Sequence, residues 1–66
     1  MSKSDYRSFF AECKSAIKIV YFLRQIGVSQ TAFSLFMRGE EHDYVMSLDT
    51  CKRLYDAICE WCENVA

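Results

Sequence analysis

The sequence predicts an all-α protein, and three observations carry that reading. Proline is absent and glycine occurs only at positions 27 and 39, so little interrupts a helix across 66 residues. Apolar residues recur at three- and four-residue spacing, as in Tyr6, Phe9, Phe10, Cys13, Ile17, Val20 and Leu23. Hydrophobic residues make up 52% and aromatic residues 15% of the chain, enough to furnish one core in a length that holds only one domain. A single compact four-helix domain over residues 1–66 is expected, with helices near 4–13, 16–26, 29–38 and 47–63.

Ser2 and Ser4 are both suitable N-caps for the first helix, and Asp5 suits its first turn. Nothing between Ser4 and Ile26 is a strong breaker, so one long helix and two short ones parted near Lys14-Ser15 both satisfy the pattern. A single rod would carry Phe9 and Phe10 away from Phe33 and Phe36 and expose apolar area, which favours the break. The segment Ala16–Ile26 has two apolar stripes: Ile17, Val20 and Leu23, then Ile19, Phe22 and Ile26. Lys14, Lys18, Tyr21 and Gln25 form its polar strip. Such a helix is expected between neighbours on two sides, the first helix and the last.

Gly27 then supplies a tight turn and Ser29 caps a third helix. Phe33 and Phe36, three apart, should face inward onto Phe22 and the final helix. Gln30, Thr31, Ser34, Leu35 and Arg38 are left facing outward. Gln, Thr, Ser and Arg are the side-chain types that read base edges and phosphates in a major groove. Helix, glycine turn and polar-tipped helix make a helix-turn-helix candidate. After Gly39, Glu40–Met46 reads as a polar loop with an apolar end. Ser47 caps a last helix whose apolar positions are Leu48, Cys51, Leu54, Tyr55, Ile58, Trp61, Cys62 and Val65.

The stretch Gly27 to Gly39 resembles the DNA-binding domains of the lambda-repressor-like (Cro-like) helix-turn-helix family. The matching elements are Gly27 at the turn, Gln30-Thr31 opening the second helix of the pair, inward Phe33 and Phe36, and Gly39 closing it. A later helix opening at Ser47-Leu48-Asp49 fits as well, so the resemblance spans roughly residues 16–60. Leu23 stands where the family has Ala, which should spread the two helices of the pair. The resemblance implies a small transcriptional regulator that places the 29–38 helix on double-stranded DNA. Ser29, Gln30, Thr31, Ser34, Leu35 and Arg38 would then face the DNA, with Lys18 and Arg24 on its backbone.

Charge is divided along the chain. Residues 1–38 hold six Lys and Arg against two acids, and residues 39–66 hold two against seven, giving +4 and −5 within a net charge of −1. An electropositive face opposite an electronegative one is expected. The weak net charge and acidic second half suit an alternative. In that reading the chain is a protein-interaction module, or a small phage or mobile-element antagonist, built on the same scaffold.

Other chemistry is weakly signalled. Cys13, Cys51, Cys59 and Cys62 include one Cys-x-x-Cys pair, whereas a zinc domain usually shows two, so packing cysteines and no metal are expected. His42 sits among Glu40, Glu41 and Asp43 without a calcium-loop pattern and reads as an ordinary loop residue. No nucleophile–base pair and no phosphate loop is present, so neither enzyme activity nor a cofactor is expected. No apolar run approaches the ~20 residues of a membrane span, and the N-terminus lacks signal-peptide features, so a cytoplasmic protein is expected. A homodimer on a palindromic site is expected too, closed by the stripe Ile58, Trp61, Cys62 and Val65.

Overall fold

The computed structural model describes residues 1–14 and 17–63 in full, with the helical backbone of 64 and 65. Four α-helices follow in order: α1 (Lys3–Cys13), α2 (Ile19–Ile26), α3 (Gln30–Arg38) and α4 (Leu48–Val65). No strand occurs among the described residues, so the protein is all-α. The expected break between the first two helices is present. The expected break point at Ser15 and helix start at Ala16 lie outside the described residues. By Ile19 the chain has turned into α2.

Three of the four helices open on a serine cap, and α2 opens at Lys18 without a side-chain cap. Ser2 rather than Ser4 caps α1: its hydroxyl accepts from the Asp5 amide at 3.2 Å, and the Ser2 amide donates to the Asp5 carboxylate at 2.9 Å. The Ser2 amide first, and then the Ser2 hydroxyl, hold the Asp5 carboxyl below its ordinary pKa by hydrogen bonding to its carboxylate. Ser29 accepts from the Ala32 amide at 3.1 Å and opens α3. Ser47 accepts from the Thr50 amide at 3.1 Å and opens α4. Gly27 ends α2 in the left-handed region, φ 77° and ψ 30°. Its amide donates to Arg24 at 3.3 Å and the next amide, of Val28, reaches back to Leu23 at 2.9 Å. That pair of bonds is a Schellman ending.

The core is a single cluster: Tyr6, Phe10, Ile19, Phe22, Leu23, Phe33, Phe36, Met46, Cys51, Leu54 and Ile58. α4 is the central support, packing against both α1 and α2, while α1 also packs on α3. Phe33 and Phe36 are buried as the spacing predicts, but their aromatic partner is Phe10 of α1, at 5.9 and 6.5 Å between ring centres. Phe22 instead meets Trp61 edge-on at 6.0 Å.

Two expectations are corrected. Glu40–Val45 is 3-10 helical rather than a loop, kinked at His42, and it delivers Met46 into the core at 2% exposure. Leu48, expected on the apolar side of α4, is half exposed, whereas Met46 and Cys51, on either side of it in the chain, are buried.

Candidate nucleic-acid interface

α3 owes its fixed position to what lies behind and beneath it. Phe36 is wholly buried, and the Arg7 guanidinium lies over its ring, 4.5 Å from the centroid. From there Arg7 Nε donates to the Phe36 carbonyl at 2.7 Å and Nη2 to the Gly39 carbonyl at 3.1 Å, and Nη2 pairs with the Asp43 carboxylate. These carbonyls end α3 and have no acceptor role left inside it. A cation there also opposes the negative end of the helix dipole. Lys3 Nζ adds a bond to the Asp43 carbonyl at 3.0 Å. α1 thus clamps the C-terminal end of α3 to the 3-10 segment.

The front of α3 is open. Ser29, Gln30, Thr31, Ser34 and Arg38 are all exposed, and Leu35 is half-buried beside them. Between α2 and α3 lies a hollow of about 290 Å³, floored by Ile19, Val20, Leu23 and Phe33 and rimmed by Lys14, Gln30 and Ser34. Leu23, standing where a smaller residue was expected from the resemblance, forms part of its wall. Lys14 therefore joins Gln30 and Ser34 at one edge. Sequence reasoning placed Lys14 only on the polar strip of α2, because its true position depends on the turn between α1 and α2.

The remaining site residues distribute differently. Lys18, expected beside α3, lines a separate hollow with Tyr21, Phe22 and Trp61. One turn of α2 sends Ile19 and Leu23 toward α3 and Lys18 and Tyr21 away from it. Arg24 is exposed near the end of α2. Asp43, part of the acidic segment after α3, is turned inward onto Arg7, whereas Glu40 and Glu41 stay exposed.

The expected dimer stripe is divided. Ile58 is wholly buried in the core and cannot face a second copy. Trp61 and Cys62 are exposed. The side chain of Val65 lies outside the described residues.

All four cysteines are free. Cys51 is buried, and burial pushes its thiol pKa up. Cys13 is pushed up by burial first and then by the nearby Cys62 and Cys59 thiols. No three metal-ligating side chains gather on one point among the described residues. No described helix is long and apolar enough to cross a membrane. No family model matches the chain, and no curated protein and no solved structure matches it.

Proposed function

We propose that the protein is a sequence-specific DNA-binding regulator that presents the front of α3 to the major groove. The observation that carries this reading is the exposed row Gln30, Thr31, Ser34 and Arg38 on a helix locked from behind by Phe33 and Phe36. A reading head must be rigid on one side and polar on the other, since flexible side chains on a mobile helix would lose the ordering cost of each contact.

In this mechanism Gln30 pairs with an adenine edge, Thr31 and Ser34 reach bases or phosphate, and Leu35 lies against a thymine methyl. Arg38 holds phosphate or guanine. Lys14 and Arg24 set the register on the backbone, a role that Lys14 takes over from Lys18. The inward pairing of Asp43 with Arg7 supports the reading, because it removes one carboxylate from the neighbourhood of a phosphate chain.

Random-site selection with purified protein tests it. A defined sequence should be enriched, and Gln30→Ala should relax preference at one base pair, at a cost of about 1–3 kcal/mol for a bidentate contact. No enrichment even at low salt would sink the direct-reader account. It would favour a protein partner for the acidic outer side of α4, where Asp56, Glu60 and Glu63 are exposed.

A further inference from the structure

The face made jointly by α2 and α4 plays no part in the DNA reading, and it carries the largest exposed aromatic surface outside the 3-10 segment. Tyr21 is 58% and Trp61 41% exposed. Between them sits Phe22, 4% exposed, whose ring meets Tyr21 edge-on at 5.4 Å and Trp61 edge-on at 6.0 Å. One buried ring therefore anchors both exposed ones, and the three form a fixed ridge. Two hollows flank it. One, of about 380 Å³, is completed by Ile17 and Lys18, one turn before Tyr21. The other, of about 250 Å³, is completed by Gln25, one turn after Tyr21, and by Ala57 and Glu60 of α4. Lys18 and Glu60 are exposed, and neither has an ion-pair partner among the described residues.

We propose that this ridge, with its two oppositely charged hollows, is the contact between two copies of the chain, Lys18 of each copy lying against Glu60 of the other. A two-fold contact must be complementary to itself. A two-fold axis along the ridge brings the cationic hollow of one copy over the anionic hollow of its mate, twice, and stacks the Tyr21 and Trp61 rings between them. A foreign partner would require both signs of charge in matching places, whereas a second copy supplies them by symmetry. A standard contact covers about 800 Å² per partner. That is less than a fifth of this protein's 4443 Å² surface, and no residue of α3 lines the ridge or its hollows. The surface differs from the α4 stripe expected from the sequence, because Ile58 belongs to the core and Tyr21 of α2 takes its place.

Sedimentation equilibrium of the full chain at micromolar concentration, with reductant present, tests the proposal independently of any DNA binding. The expected species is a dimer. Lys18→Glu and Glu60→Lys should each raise the dimer Kd about tenfold or more through paired like charges, and the double swap should restore it. Both positions are exposed, and an unchanged helical circular dichroism signal confirms that the variants fold. A wild-type monomer throughout the range would overturn the proposal. So would a dimer indifferent to both single swaps.

Discussion

At its N-terminal end α3 depends on one serine hydroxyl, whereas at its C-terminal end the Arg7 guanidinium of α1, held in turn by Asp43 of the 3-10 segment, closes on it. Ser29 satisfies the Ala32 amide and leaves Gln30, Thr31 and Ser34 in solvent. Arg7, reaching from α1, covers the Phe36 ring and satisfies the Phe36 and Gly39 carbonyls while pairing with Asp43. The contrast shows how so small a domain can hold a helix rigidly and still expose one side of it. Rigidity is concentrated at the C-terminal end, where Arg38 is the one proposed DNA contact, and the open end inherits it along the helix.

Removing the anchor itself should have the largest effect. Phe36→Ala should cost about 3–5 kcal/mol, close to the whole stability of a small domain, and abolish a cooperative thermal transition. Arg7→Ala should cost about 2–3 kcal/mol by urea unfolding, since it takes the donor from the Phe36 carbonyl, the partner from the Asp43 carboxylate and the cation from the Phe36 ring together. Arg7→Lys should recover only part of that, because an ammonium lacks the planar fork that serves three acceptors.

Gly27→Ala probes the turn that aims α3. A Cβ there meets nothing within 4 Å, so the cost is that of the left-handed backbone alone, roughly 1–2 kcal/mol. Ser29→Ala should cost about 1 kcal/mol and loosen only the open end, seen as faster amide exchange at Ala32 with the Arg7 end unchanged.

The smallest expected effect sharpens the comparison through pH. The pKa of Asp5 is lowered in the fold, first by the Ser2 amide and then by the Ser2 hydroxyl. Its contribution is therefore fully present above the ordinary value of 3.8 and is lost as pH falls through the lower folded value. Urea midpoints of wild type and Asp5→Asn should differ at neutral pH and converge below that window.

Local signals were legible in the sequence and distant ones were not. The Gly27 turn, the Ser29 and Ser47 caps, and the inward Phe33 and Phe36 each depend on residues within a turn of one another. Arg7 carried no signal, because its acceptors lie 29 to 36 residues away along the chain. The 3-10 segment was hidden because its polar residues suit a loop and a short helix equally. Ile58 was misassigned for a different reason. Periodicity shows which side of α4 is apolar, but not where along that side the core ends and the surface begins. Lys14 and Lys18 exchanged places for the same kind of reason, since a polar strip says nothing of which neighbour it borders.

The central claim is that the open end of α3 is the DNA face, and amide NMR with a short random-sequence duplex at low salt tests it most directly. The account predicts the largest shifts at Ser29, Gln30, Thr31 and Ser34, small shifts around Arg7 and Asp43, and loss of the effect as salt rises from about 50 to 200 mM. Shifts absent from α3, or centred on the α4 acids instead, would contradict it.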